Sequence, residues 1–288
     1  MTIRGKIVLL TGATGGIGQA IARRLSHQGA ILILVGRSAP TLNALARELD
    51  LQKNKGFTLV ADIATHAGRE SIRTALIALP QPVDILINCA GISLFGLLPN
   101  NEPEQIEAVI NTNVTATILV TRLVLPFLHK HSGRILTIGS SFGGLGYPGF
   151  AVYCASKFAL RGFSEALRRE LSDGAVQVAY LAPRATNTSI NNSAVCALNS
   201  ELGNAQDEPE LVASVAEKML SATQMRDRNI GWPERLFLRI NSIFPRLIDG
   251  ALRKQLPVIR RYAQSSSASE ASSAPAAESN ATTSTRLS

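Results

Sequence analysis

At 288 residues, 45% of them hydrophobic, the chain can bury one substantial core, and one domain of about 230–250 residues with extensions fits better than two. Three scattered cysteines, Cys89, Cys154 and Cys196, are odd in number; this excludes a disulfide framework and points to reduced thiols in a reducing, cytoplasmic compartment. The formal net charge of +8 comes with few aromatic residues among the basic ones, which excludes nucleic acid as a partner.

The first apolar run, Lys6-Ile7-Val8-Leu9-Leu10, is of buried-strand type and too short for a secretory leader. It leads into Thr11-Gly12-Ala13-Thr14-Gly15-Gly16-Ile17-Gly18 and then a helical stretch with Ile17, Ile21 and Leu25 on one face. Strand, glycine turn and helix form the context that a phosphate-cradling loop requires. Glycines let the backbone approach a pyrophosphate, and the helix start supplies amide donors and a positive dipole end. The spacing is Gly12-x-x-x-Gly16-x-Gly18 rather than G-x-G-x-x-G.

Further apolar runs at 31–36, 57–61, 83–88 and 134–139 read as strands, with amphipathic stretches between them. Repeated βαβ units imply an α/β fold with a parallel, doubly wound sheet covered by helices on both faces. No stretch is expected to reach the ~20 apolar residues of a membrane span. The second strand ends in Gly36-Arg37-Ser38. In dinucleotide sites an acid roughly 20 residues past the glycines holds the ribose hydroxyls. Here a guanidinium stands instead, suited to a 2′-phosphate, so NADP(H) is the expected cofactor.

His27 and His66 stand alone, while His129-Lys130-His131 is expected to close a helix, where cations favour the dipole; no metal site is expected. Ser140 and Ser141 end the 134–139 strand, and on residue type either could donate a hydrogen bond at a reacting centre. Tyr153 and Lys157 are four apart in Tyr153-Cys154-Ala155-Ser156-Lys157, which puts a phenol and an ammonium on one helix face. A free phenol ionises near pH ~10; a neighbouring cation is expected to lower that value and suit it to acid–base work.

With the glycine motif, Asn88-Cys89-Ala90-Gly91, Asn113, Ser140 and Tyr153-x-x-x-Lys157 in this order, the chain resembles the short-chain dehydrogenase/reductase family over residues 4–190, and more weakly to 230. The wording at 153–160 is similar to members acting on steroids, retinoids and acyl chains. The resemblance implies a single Rossmann-type domain that binds NADP(H) through Gly12, Thr14, Gly16, Ile17, Gly18, Arg37, Asp62, Asn88, Ala90, Gly91, Tyr153, Lys157 and Thr188. It implies Asn113, Ser140, Tyr153 and Lys157 as the catalytic set, and a homodimer or tetramer. Ser140 is selected over Ser141 because the family serine precedes the tyrosine by 13 residues. In the implied chemistry Tyr153 exchanges a proton with a carbonyl oxygen, Ser140 hydrogen-bonds that oxygen, Lys157 holds the nicotinamide ribose, and Asn113 positions a water. The chain departs from the pattern at Cys89, in place of a second asparagine, and at Arg184, in place of the glycine of Pro-Gly-x-x-x-Thr. The function implied is carbonyl–alcohol interconversion on an apolar lipid-, steroid- or acyl-type substrate. The alternatives are a 3-oxoacyl thioester reductase and a nucleotide-sensing scaffold that has lost its chemistry; the intact Ser-Tyr-Lys set speaks against the scaffold.

Beyond Thr188 the family signal fades. Residues 189–207 are rich in Asn, Ser and Ala and read as a mobile lid, and Leu211, Val212, Val215, Ala216, Met219 and Leu220 form a helical core stripe. The catalytic domain is placed at 1–232 and a basic amphipathic extension at 233–262, with Pro245 expected to kink or divide its helix. Between Glu234 and Tyr262 seven basic residues face two acidic ones, +5 of the chain's +8. Such a segment suits peripheral membrane contact, or else a dimer or substrate-channel element with solvated charges. The Ser/Ala/Thr-rich stretch 263–288 is expected to be disordered.

Overall fold

Five apolar runs become strands of one parallel sheet: β1 (Ile7–Thr11), β2 (Ile31–Gly36), β3 (Phe57–Val60), β4 (Ile85–Asn88) and β5 (Arg134–Ile138). Two more join it, β6 (Gln177–Ala182) and the short β7 (Arg228–Asn229), in the order β3-β2-β1-β4-β5-β6-β7. The computed structural model describes residues 2–232 and 234–273, the last nine as backbone only. Strand residues alternate between two cores, as a period of two dictates. Val8, Leu10, Leu32 and Leu34 meet α1 (Gly16–His27), α2 (Ala39–Glu48) and, further along the chain, Val212, Ala216 and Met219. Leu9, Ile33, Val35 and Leu86 meet α3 (His66–Ile77) and Val120 and Val124. Burial on both faces explains why these strands read as unbroken apolar runs.

The crossovers continue with α4 (Pro103–Ile110), a π-turn at Asn111–Thr115, α5 (Ala116–Val124), α6 (Ala151–Glu170), α7 (Ser193–Glu201) and α8 (Pro209–Ser221). Ser38, Thr65 and Asn192 cap α2, α3 and α7, each accepting a backbone amide through its side chain. Buried Arg134 on β5 donates to the Leu220 and Ala222 carbonyls at 2.7 Å and so ties down the end of α8. Register places the site: Thr11 pairs with Val35 on one side and Asn88 on the other, and Asn88 pairs with Thr137. These strands therefore end level, and the chain reverses direction across the sheet between β1 and β4, where open α/β sheets form their binding crevice.

Two expectations are corrected. By length and composition the helical run 103–127 would suffice to cross a membrane. In the fold it is a core element, with Val109, Asn113, Ala116, Val120 and Val124 buried. His129-Lys130-His131 closes no helix; the helix has ended at Phe127, Leu128 bridges to Val83, and the histidines lie in the turn beyond. The 189–207 stretch, expected as a lid, contains α7, whose Val195 and Leu198 pack against Ile259. Further on, α9 (Glu234–Ile243) is followed, after a break at Phe244, by α10 (Pro245–Ser273), in which Ala263 is fully buried. Alanine extends a helix already nucleated by packing at little entropic cost. Residues 274–288 of the expected tail lie outside the described residues.

Candidate active site

The level strand ends open onto a cleft of about 880 Å³. On the β1 side its floor is the glycine turn. Gly12 has φ +67°, and a β-carbon there would stand 2.6 Å from the Ala90 backbone; one on Gly18 would stand 2.1 Å from the Gly12 carbonyl. Both positions need the absence of a side chain, the first for conformation and the second for helix–loop packing. No side chain caps α1, so its first-turn amides remain available to a ligand. Thr11 braces the opposite loop, its hydroxyl accepting from the Cys89 and Ala90 amides at 3.2 and 3.4 Å. Thr14, Ile17, Arg37, Asp62, Ala90, Gly91 and Thr188 all border this part of the cleft. The Thr188 methyl lies 2.6 Å from where a Gly16 β-carbon would be, so the 183–188 loop closes over the glycine turn. A cradle this tight, with glycine backbone as its floor, fits a dinucleotide.

Two residues assigned to the site have their side chains engaged within the fold. Asn88 is buried beneath the cleft and donates to Thr121 of α5 at 2.9 Å, so its side chain anchors β4 to a helix. Asn113 sits fully buried in the π-turn, a form that often marks functional positions. Its amide accepts from the Ile92 nitrogen at 2.8 Å and donates to the Ile92 carbonyl at 2.9 Å and the Ser156 hydroxyl at 3.0 Å. That side chain holds the loop after β4 against α6, close beside the lysine.

Tyr153 and Lys157 share one face of α6, the ammonium 5.4 Å from the phenol ring centre. Ser140, just past the end of β5, borders the same cleft as the phenol, its hydroxyl accepting from the Phe142 amide at 3.1 Å. Ser141 is buried, its amide donating to the Pro183 carbonyl at 2.7 Å. Burial pushes Tyr153 well above the usual phenol value, with the Ser140 side chain opposing it. Burial also pushes Lys157 down to about 8. For Tyr153 the direction is opposite to the lowering expected from the ammonium: desolvation dominates and favours a neutral, proton-donating phenol. Cys89, beside Lys157, is likewise pushed up to about 12 by burial, so it is a neutral thiol.

Sequence reasoning missed two features. Tyr180 on β6 is buried behind the site, and its hydroxyl accepts the Ser140 amide hydrogen at 3.1 Å. Arg184, where a glycine was expected, pairs with buried Asp207 at 2.7 Å and with Glu234 at the start of α9 at 3.4 Å. The turn in doubt is therefore held by an ion pair that also reaches the helical roof. Neither had a sequence signal, because each partner lies 23 or more residues away. Past Tyr153 the cleft walls turn apolar. Phe142 stacks on Tyr147 with ring centres 5.1 Å apart, and Phe150 lies 5.2 Å from Phe142. Ile190, Leu198, Leu238, Ile248 and Leu252 complete this end.

A family model for short chain dehydrogenases matches residues 6–197. The chain belongs to the short-chain dehydrogenase/reductase family. It is 31% identical over 208 residues to bovine dehydrogenase/reductase SDR family member 7B, covering 70% of this chain and 64% of that protein. It is 36% identical over 184 residues to the 3-oxoacyl-[acyl-carrier-protein] reductase FabG of Escherichia coli, covering 64% and 74%. Among solved structures, a short chain dehydrogenase from Burkholderia cenocepacia in complex with NADP superposes with a TM-score of 0.72 at 27% identity, over 82% of this chain and 100% of that one. A 3-ketoacyl-(acyl-carrier-protein) reductase from Brucella melitensis complexed with NADH gives 0.71 at 25%, over 81% and 99%. As a member of this family the chain is an oxidoreductase acting on carbonyl or CH–OH groups with a nicotinamide cofactor and a small-molecule substrate.

Proposed function

We propose that this short-chain dehydrogenase/reductase interconverts a carbonyl and an alcohol on an apolar lipid-, steroid- or acyl-type substrate with NADP(H). The observation that carries the substrate class is the aromatic and aliphatic wall that begins at Tyr153 and runs under α9 and α10. Such a wall rewards an apolar body, while the few polar groups at its inner end fix one reacting oxygen. The NADP preference rests on Arg37, exposed at the cleft edge directly after β2, with no carboxylate at that strand end.

In this reading Gly12, Thr14, Gly16, Ile17 and Gly18 hold the pyrophosphate side, Arg37 the 2′-phosphate, Asp62 the adenine, and Ala90, Gly91 and Thr188 the nicotinamide end. The bound cofactor supplies or takes up a hydride. Tyr153, kept protonated by burial, gives its proton to the substrate oxygen in the reducing direction and recovers it in the other. Ser140 donates to the same oxygen, where negative charge develops. Lys157 presents an ammonium to the ribose and to the phenol. Asn113 acts one step back by fixing the Ile92 backbone and Ser156.

A second reading, reduction of 3-oxoacyl thioesters, draws on the relatives that carry that name. One assay separates the two. NADPH oxidation is followed over a panel of apolar ketones and aldehydes beside an acetoacetyl thioester, with Tyr153→Phe as the control. Turnover confined to the thioester selects the second reading, and turnover on none of the panel overturns both.

A further inference from the structure

The helix α9 has a strongly amphipathic sequence, yet none of its ten residues is buried. Its inner side is only a roof: Leu238 lies over Gly144, and Asn241 donates to the Gly144 carbonyl at 3.0 Å. The apolar residues at the turn into α10 face outward instead. Ile243 is 68% exposed, Phe244 60% and Leu247 66%, and Trp232, at the rim of the same cleft, is 71% exposed. Large apolar side chains exposed together in this way mark an interaction site.

Basic residues flank them in the chain and continue along α10. Arg235, Arg239, Arg246, Arg253, Lys254 and Arg260 are exposed, and none makes an ion pair among the described residues. This charge decides the occupant. A two-fold contact with a second copy would set Arg239 and Arg246 against their own images, which like-charge repulsion opposes. An anionic lipid surface instead offers acyl chains to the apolar tip and phosphates to the arginines.

We propose that the outer face of α9 and the start of α10 seats this protein on an anionic bilayer, with Ile243, Phe244 and Leu247 inserted at the acyl boundary. The inner face of the same roof lines the cleft through Leu238, Ile248 and Leu252. A lipid-soluble substrate would then pass from bilayer to cleft without crossing bulk water. This consequence rests on the apolar-substrate reading; the docking itself does not.

The test uses the full chain without cofactor or substrate, so its outcome is independent of the assay on NADPH turnover. Vesicles of phosphatidylcholine with phosphatidylglycerol are compared with phosphatidylcholine alone, by sedimentation and by the emission of Trp232, the chain's one tryptophan. The expected result is pelleting and a blue shift with anionic vesicles at low salt, weakened by at least ~10-fold on neutral vesicles or in high salt. Phe244→Asp with Leu247→Asp, and separately Arg239→Glu with Arg246→Glu, should each weaken binding by at least ~10-fold. These four residues are exposed, and circular dichroism verifies that the variants fold. Protein left in the supernatant with anionic vesicles at low salt overturns the proposal. So does binding indifferent to both double substitutions, or a dimer by light scattering that the Phe244 and Leu247 changes dissolve.

Discussion

The Tyr180 hydroxyl accepts the Ser140 amide hydrogen at 3.1 Å and lies 3.3 Å from the Lys157 carbonyl oxygen, so one phenol on β6 fixes the backbone of both residues. Space for it comes from two glycines. A β-carbon on Gly139 would meet the Tyr180 ring at 1.8 Å, and one on Gly143 would meet its oxygen at 2.3 Å. Tyr180 touches neither cleft nor substrate, so it is a positioning residue. Tyr180→Phe leaves a buried amide without its acceptor, a cost of about 1–3 kcal/mol. We expect kcat to fall by ~10-fold while the KM for NADPH changes by less than ~2-fold. A parallel loss in both would mean general destabilisation, and an unchanged kcat would remove Tyr180 from the machinery.

Cofactor choice turns on Arg37. Replacing it with alanine takes away the expected partner of the 2′-phosphate and little else, because the side chain is exposed at the strand end. The wild type should bind NADPH more tightly than NADH, and Arg37→Ala should remove most of that difference, a loss of ~10-fold or more in NADPH affinity alone. Titration of cofactor fluorescence reads both constants. Equal affinities in the wild type would sink the assignment.

Lys157 links function to stability. Its folded value of about 8 lies below the ordinary lysine value, because burial penalises the ammonium. Between about pH 8 and 10.5 the unfolded chain binds more protons than the folded one, so stability rises with pH across that window. Below about 8 the full penalty is present. Lys157→Met should therefore raise Tm by several degrees at pH 7 while abolishing activity, since about 1 kcal/mol corresponds to ~2–4 °C in a domain of this size. The gain should shrink as pH rises toward 10.5. In the wild type kcat/KM should decline above about pH 8 as the ammonium is lost. Calorimetry showing no gain in Tm at pH 7 would contradict the burial argument.

The parallel sheet was legible because β1, β2, β4 and β5 are buried on both faces and carry uninterrupted apolar runs; three of their sequence-based bounds missed only by one or two residues. The glycine turn and the Tyr153–Lys157 pair were legible because their geometry is local, set within one turn or one helix. What failed to show was long-range. Asn88 stands beside residues that line the cleft, but its side chain donates to Thr121, 33 residues on. The 234–262 segment looked like an outward-facing amphipathic helix, whereas Ile259 is wholly buried against α7, with Ala263 just beyond it. No local pattern announces that a partner will arrive to bury a helix face.

Arg184 offers the sharpest stability test, because it occupies a turn where the family pattern has glycine. Its guanidinium, held above its ordinary value chiefly by the hydrogen bond to Asp207, joins that 4%-exposed carboxylate to Glu234 on α9. The Asp207 backbone also donates to the Ala185 carbonyl at 2.8 Å and accepts from Asn187 at 3.0 Å, so the ion pair and the backbone lock one loop. Removing the arginine alone leaves a buried carboxylate uncompensated, which costs about 3–5 kcal/mol. Removing both charges costs less, because no orphaned ion remains. Arg184→Ala should therefore lower Tm by more than Arg184→Ala combined with Asp207→Asn, a non-additivity of at least ~1 kcal/mol in the double-mutant cycle. Since the loop carries Thr188 to the cleft, the single variant should also raise the KM for the nicotinamide cofactor, and the double variant should restore part of it. Thermal melts in which the two substitutions add independently would mean that Arg184 is a surface arginine whose pairing contributes nothing.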